Sequence, residues 1–203
     1  QVVDNQLWRN DIDCIAGQAC FRDSHTLIVT SGDSRRTITA AHIIIAVGTV
    51  PAPSPDVPVD GDMIITSEDI VHLKRLPKKM VVVGGGIIGI EYASMFGALE
   101  IEVTLVDKRD RLLEFLDHEI VDELMHQMRD RHVRFRLGEA VERVDVIGGA
   151  SPQAVVHLES GKRLMADQVL FSVGRIGATA GLNLDAAGLK SDSRGRIKVD
   201  QQF

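Results

Sequence analysis

Met80-Val81-Val82-Val83-Gly84-Gly85-Gly86-Ile87-Ile88-Gly89-Ile90-Glu91 is the stretch on which the reading of this chain turns. A short apolar run rich in β-branched residues has the composition of a strand buried on both faces. It leads directly into G-x-G-x-x-G, formed by Gly84, Gly86 and Gly89. From Ile87 to Leu99, the residues Ile87, Ile88, Tyr92, Met95, Phe96 and Leu99 recur near the 3.6-residue period, which predicts a helix. Ile101, Val103, Leu105 and Val106 then predict a second strand, which closes on Asp107, 18 residues after Gly89. Strand, glycine turn, helix, strand and terminal acid form the layout of a βαβ dinucleotide-binding unit.

Each part answers a demand of a diphosphate ligand. Gly84 permits the tight turn out of the strand, Gly86 lets the backbone approach the phosphates, and Gly89 lets the helix lie close to the sheet. The phosphates are expected on the unpaired N–H groups at the helix start, around Ile87 and Ile88, where the helix dipole is positive. Asp107 is placed to accept the two hydroxyls of an adenine ribose, which favours NAD and repels a 2′-phosphate. Lys108, Arg109 and Arg111 follow at once and pull the other way, either holding such a phosphate or neutralising Asp107. NAD and NADP therefore both stand as expected cofactors. Glu91 is expected in the first helical turn, where the dipole stabilises a carboxylate.

Bulk properties narrow the function classes. The 203 residues carry 29 acids against 23 bases, a net charge of −6, which argues against nucleic acid as a partner. At 44% hydrophobic and 26% charged residues the chain resembles an ordinary globular protein. No apolar run reaches the roughly 18 residues that a membrane span needs. The start, Gln1-Val2-Val3-Asp4, lacks a methionine and the pattern of a signal peptide, and the end follows closely on a strand-like Ile197-Lys198-Val199. Together these predict an excised piece of a longer cytoplasmic protein. Cys14 and Cys20 are expected on one face of a strand, too far apart for a disulfide, as two semi-buried thiols rather than a redox pair. His118, His126 and His132 have no metal-ligand spacing, so no metal site is expected. No G-x-S-x-G or comparable nucleophile motif is present.

Along the chain, Ile12–Phe21, Thr26–Thr30 and Arg36–Ala40 predict strands, and Ile43–Val47 predicts a fully buried one that stops at Gly48. Four prolines between Pro51 and Pro58 predict a stiff, extended linker. Thr66–Leu73 predicts a short helix with Thr66 and Asp69 in a capping box. Asp117–Arg131 predicts a helix with Ile120, Leu124 and Met128 stacked four apart. Strands are expected at Val133–Leu137, Val141–Val146, Val155–Leu158 and Lys162–Met165, the last two joined by a Glu159-Ser160-Gly161 hairpin loop. A further buried run spans Gln168–Val173 and ends at Gly174-Arg175. The expected fold class is α/β: a Rossmann-like βαβ nucleotide-binding domain in three layers, with further segments on either side.

Taken in order, Ile44-Ile45-Ala46-Val47-Gly48 with Pro51, Val81 to Glu91, Arg109-Asp110-Arg111-Leu112-Leu113 with Asp117, and Ser172-Val173-Gly174-Arg175 resemble the FAD-dependent pyridine nucleotide-disulfide oxidoreductases, the two-dinucleotide flavoproteins. Within that family, Glu91-Tyr92-Ala93-Ser94 and Gly174-Arg175-Ile176-Gly177 look most like the soluble pyridine nucleotide transhydrogenases. Gly177 and Ala178 stand where the disulfide reductases usually carry Pro and often Asn. The resemblance implies residues 1–58 as the end of a first FAD-domain segment plus linker, 59–183 as an NAD(P) domain, and 184–203 as a return to the FAD domain. It implies FAD as a second cofactor of the whole protein, nicotinamide dinucleotides as its partners, and a homodimer. It places Glu91 beside the nicotinamide, Ile87 where some relatives keep an aromatic lid, Gly174 and Arg175 on the cofactor side, and Gly48 on the flavin side. The family's N-terminal FAD fingerprint, redox-cysteine segment and dimerisation domain have no counterpart here, so catalytic residues are not expected in this piece. The implied activity is transfer of hydride from NADPH through flavin to NAD. A dihydrolipoamide dehydrogenase-like or other disulfide reductase is the alternative within the family, and a non-catalytic dinucleotide-sensing module the alternative outside it.

Overall fold

The computed structural model describes residues 2–149 and 151–203. Contacts divide the chain into two compact units, one running up to Val50 and resuming at Ile176–Phe203, the other Pro51–Arg175. Short strands at Thr49–Pro51 and Arg175–Gly177 mark the points of division. No helix is long and apolar enough to cross a membrane among the described residues.

The first unit opens with α1 (Val2–Arg9), which buries no residue. An antiparallel meander follows, of β1 (Gln18–Asp23), β2 (Thr26–Ser31) and β3 (Ser34–Thr39), in that order in the sheet. Phe21 and Val29 are its buried side chains, and the 182–184 segment closes over them: Phe21 N–H donates to the Leu182 carbonyl and Asn183 Nδ2 to the Phe21 carbonyl. Two expectations fail in this unit. The strand expected from Ile12 starts only at Gln18, so Cys14 lies outside it and is exposed, while Cys20 is half-buried; both thiols are free. The run Ile43–Val47 forms no strand, and Ile44 is 91% exposed. A short apolar run becomes a buried strand only where a sheet edge accepts it, and none of the described strands pairs with this one.

The second unit holds the predicted βαβ. A five-stranded parallel sheet is built from β4 (Ile64–Ile65), β5 (Lys79–Val83), β6 (Glu102–Asp107), β7 (Val133–Leu137) and β11 (Gln168–Phe171), in the order β4-β11-β5-β6-β7. Helix α2 (Ile87–Ala98) connects β5 to β6, and α3 (His118–Asp130) connects β6 to β7. A second, antiparallel sheet joins β8 (Val141–Ile147), β9 (Gln153–Leu158) and β10 (Arg163–Ala166), with Glu159–Gly161 as the hairpin loop between the last two. Alternation along β5 sends Met80 and Val82 into a core shared with Ile90, Phe96, Met125 and Met128 of the helices. Val81 and Val83 go into a second core shared with Val144, Val156 and Leu158 of the antiparallel sheet. Helices, parallel sheet and antiparallel sheet make the expected three layers.

Local details differ from the sequence pattern. In α2 the buried face is Gly89, Ala93, Phe96 and Gly97, together with Ile90, whereas Ile87, Met95 and Leu99 are exposed. A helix that approaches its sheet through glycines buries its small residues, which a search for large apolar ones overlooks. In α3 the core stripe is Val121, Met125 and Met128; Ile120 is exposed, one residue off that stripe. The Thr66–Leu73 helix is a single 3₁₀ turn at Ile70–His72, although Asp69 does bond back to the Thr66 N–H as a capping acid would. The proline run is not a free linker throughout, because Val57 is buried in the second unit and the neighbouring Asp56 carbonyl accepts the Val144 N–H.

Candidate functional site

Strands β6 and β7 extend the sheet to one side of β5, and β11 lies on the other side. The order therefore reverses between β5 and β11, and ligands of open α/β sheets sit outside the strand C-termini at such a point. A cleft of about 820 Å³ opens there. Its walls include the turn after β5 (Gly84, Gly86, Ile87, Ile88), the end of β6 (Val106 to Arg109), the end of β11 and the segment after it (Phe171 to Arg175), and the end of the β7–β8 loop with the start of β8 (Glu139 to Glu142).

The four glycines of the turn are required for different reasons. Gly84 sits at φ +103°, and a Cβ there would stand 2.6 Å from the Ser172 carbonyl oxygen. A Cβ on Gly85 would overlap Leu112 Cδ2, and one on Gly89 would overlap the Gly84 carbonyl oxygen. Gly86 differs from all three. It precedes α2 with an ordinary φ of −76°, and a Cβ on it would meet nothing within 4 Å. No neighbour in the chain accounts for the missing side chain of Gly86, and the residue lines the cleft.

Asp107 ends β6 and is buried, with 6% of its surface exposed. Its Oδ2 accepts the Gly85 N–H at 2.5 Å and Arg109 Nη2 at 2.7 Å; its Oδ1 accepts the Arg109 N–H at 2.8 Å and Nε at 2.9 Å. Burial by itself raises the carboxyl pKa, but the hydrogen bonds from the Arg109 side chain and from the two backbone N–H groups outweigh it and hold it below the ordinary aspartate range. The same pair raises the Arg109 pKa, chiefly through the hydrogen bond to Asp107. Of the expected basic cluster, Arg109 neutralises Asp107, while Lys108 is exposed on the cleft wall and Arg111 is exposed in the following loop.

Of the predicted site residues, Gly84, Gly86, Ile87, Ile88, Asp107, Lys108, Arg109, Gly174 and Arg175 all line this one cleft. Gly89 lies buried beneath it, packing α2 on the sheet. Glu91 does not line it: the helix starts at Ile87, so Glu91 falls in the second turn rather than the first, exposed on the face that also carries Ile87 and Met95. Gly48 belongs to the first unit, at φ +69°, where its carbonyl accepts the Ala178 N–H. Gly174 takes φ +125°, and its carbonyl accepts the Ala52 N–H. Arg175 Nη2 donates to Glu68 Oε1 at 2.7 Å, a partner 107 positions away that no local pattern signals.

In the sequence Ser172 is only one residue of the Ser172-Val173-Gly174-Arg175 motif, yet its hydroxyl holds the turn. Its Oγ stands 3.0 Å from the Val83 carbonyl and 3.1 Å from the Gly84 carbonyl, while its N–H donates to Val83 at 2.8 Å. Glu139 is the second residue that local reasoning missed. It lines the cleft beside Asp107, its N–H donates to the Asp107 carbonyl, and its carboxylate pairs with Lys162.

A parallel sheet with a glycine turn, an open helix N-terminus and a buried acid around one switch-point cleft defines a dinucleotide-binding α/β protein. The model of the family described as pyridine nucleotide-disulphide oxidoreductase matches residues 3–203, and the chain belongs to that family, whose members use FAD and NAD(P). The chain is 48% identical over its whole length to a protein named soluble pyridine nucleotide transhydrogenase from Mycobacterium bovis, of which it covers 43%. It is 43% identical over 196 residues to a protein of the same name from Colwellia psychrerythraea, covering 41% of it. Among solved structures, the HOCl-induced flavoprotein disulfide reductase RclA from Escherichia coli matches with a TM-score of 0.86 and 31% identity, over 98% of this chain and 46% of that one. LpdA from Mycobacterium tuberculosis matches with a TM-score of 0.90 and 26% identity, over 98% of this chain and 44% of that one. The chain thus spans less than half the length of these relatives.

Proposed function

We propose that the Pro51–Arg175 unit binds a nicotinamide dinucleotide, NAD or NADP, across the switch-point cleft, as the NAD(P) portion of an FAD-dependent oxidoreductase. The observation that carries this reading is Gly86. The other three glycines of the turn are demanded by their neighbours, whereas nothing in the described chain crowds this one, and the bare backbone it leaves faces the cleft, as close approach of a diphosphate requires. The N–H groups of the first turn of α2, at Ile87 and Ile88, are free for the diphosphate, and the helix dipole favours the negative charge. Asp107 marks the adenine-ribose end, and Gly174 and Arg175 mark the opposite wall.

For the whole protein we adopt the net reaction NADPH + NAD⁺ → NADP⁺ + NADH, because two relatives at 48% and 43% identity are named soluble pyridine nucleotide transhydrogenase. Nicotinamide and flavin supply the hydride chemistry when bound; this chain's residues bind and orient the nicotinamide coenzyme. Gly48 is the flavin-side candidate in the first unit, and a single turn whose carbonyl is already bonded to Ala178 is not by itself a flavin seat. A cytoplasmic homodimer is part of the same reading, and the relatives are named as soluble proteins. A disulfide reductase is the second reading, favoured by the match to RclA. NADPH-driven reduction of a thio-NAD analogue by the whole protein, without a disulfide substrate, supports the first; turnover only with a disulfide supports the second.

Gly86→Asp tests the cleft. Aspartate is a good residue at a helix start, and its carboxylate would occupy the anion seat. Thermal stability should be kept or raised while NADH and NADPH binding, read by cofactor fluorescence, is lost. Unchanged affinity would overturn the assignment.

A further inference from the structure

The four hydrogen bonds on Asp107 come from two kinds of donor. Two are backbone N–H groups, of Gly85 on Oδ2 and of Arg109 on Oδ1. They fix the carboxylate in place. The other two come from the Arg109 side chain, Nη2 on Oδ2 and Nε on Oδ1. A carboxylate has about four acceptor positions, so all of them are taken. The two hydroxyls of a ribose diol are also a pair of adjacent donors, and they need one position on each oxygen. Those are the positions that the guanidinium fills.

We propose that Arg109 is a displaceable plug in the ribose seat, which NAD must push off Asp107 and which NADP leaves in place as the counter-ion of its 2′-phosphate. This rests on the nicotinamide dinucleotide reading above. The Arg109 side chain is 40% exposed, against 5% for Asp107, so it has room to leave while the carboxylate stays held by the backbone. NADP makes a different demand. Its 2′-oxygen is esterified, one diol donor is gone, and a dianion arrives. A guanidinium has five N–H donors, and only two are spent on Asp107. The remaining three can meet a phosphate while the first two shield it from the carboxylate. Swung out, the arginine admits NAD; closed, it admits NADP. One side chain thereby gives one seat two ligands, with no second site.

The sign of the expected effect is the test. Removing a cofactor-contacting arginine ordinarily weakens binding; removing a plug strengthens binding of the ligand that has to displace it. NADH and NADPH are titrated into the full chain by fluorescence for the unmodified protein, Arg109→Ala and Arg109→Lys, with thermal melts alongside. Arg109→Ala is expected to bind NADH about fivefold tighter, the equivalent of about 1 kcal/mol at 1.4 kcal/mol per tenfold, and NADPH about tenfold weaker, as for a lost charge-assisted contact. Arg109→Lys keeps the charge but not the two-pronged donor. It should gain for NADH and hold NADPH closer to the unmodified protein than Arg109→Ala does, and it carries the test should the alanine variant unfold. Weaker or unchanged NADH binding in the folded variants overturns the plug. Failure of the unmodified protein to bind either cofactor overturns instead the dinucleotide reading on which it rests.

Discussion

The backbone N–H of Gly85 lies 2.5 Å from Oδ2 of Asp107, tying the glycine turn after β5 to the acid at the end of β6. The turn proposed to receive the diphosphate and the carboxylate proposed to hold the ribose are therefore parts of one hydrogen-bonded assembly. Removing its charge should loosen both ends.

Asp107→Asn replaces an acceptor-only group by one whose NH₂ faces donors. Loss of charge-assisted bonds at a buried site should cost about 1–3 kcal/mol at neutral pH. The folded-state pKa of Asp107 is depressed, so its contribution is present above the ordinary aspartate value of 3.8 and is lost as pH falls through the lower folded value. Urea unfolding of both proteins should show the gap in stability at pH 7 narrowing below pH 3.8. A gap that is constant with pH would mean that the carboxylate charge is not what the turn uses.

Gly89→Ala isolates packing from ligand binding. Alanine favours a helix over glycine by about 1 kcal/mol. Here the added Cβ would overlap the Gly84 carbonyl oxygen and stand 2.7 Å from Ser172 Oγ. Backbone cannot yield as a flexible side chain does, so strain should exceed the propensity gain, for a net loss of about 1–3 kcal/mol. Chemical denaturation that showed Gly89→Ala as stable as the parent would remove the close-packing account of this glycine.

The contrast between these glycines explains what was legible in the sequence. The β5–α2–β6 unit is written in contiguous residues, as are the helix expected over Asp117–Arg131 and the Glu159–Gly161 hairpin. Each depends on neighbours within a few positions. The run Ile43–Val47 has the composition of a buried strand, but a strand is a property of pairs of segments, and no strand among the described residues pairs with this one. For the same reason Asp107 was legible as an acid at the end of a strand, while the occupation of its oxygens by Arg109 was not. Ser172 acts on Val83 and Gly84 from 89 and 88 positions away, a relation that only the parallel pairing of β11 with β5 creates.

Ser172→Ala deletes the hydroxyl that donates to the carbonyls at the exit of β5. One neutral hydrogen bond contributes about 1 kcal/mol, so the fold should survive. With the Gly84 turn less firmly held, affinity should fall several-fold for ligands that carry the diphosphate and stay unchanged for adenosine, which lacks it. Ser172→Thr, which keeps the hydroxyl, should restore binding. Equal losses for adenosine and NADH would assign Ser172 to general stability rather than to positioning the turn.

Gly85 and Leu112 make the last prediction, because the tight point between them lies in a side chain. A Cβ at Gly85 would run into Leu112 Cδ2, the far end of a flexible residue that is itself 3% exposed. Gly85→Ala should therefore destabilise by overpacking, by about 1–3 kcal/mol. Leu112→Ala should destabilise by leaving a cavity, by about 2–5 kcal/mol. Combined, the new methyl enters the space that the leucine vacates, so the double variant should lose less than the two single losses together, with a coupling of about 0.5–3 kcal/mol. Strict additivity in denaturant unfolding would show that Leu112 is not what excludes a side chain at Gly85.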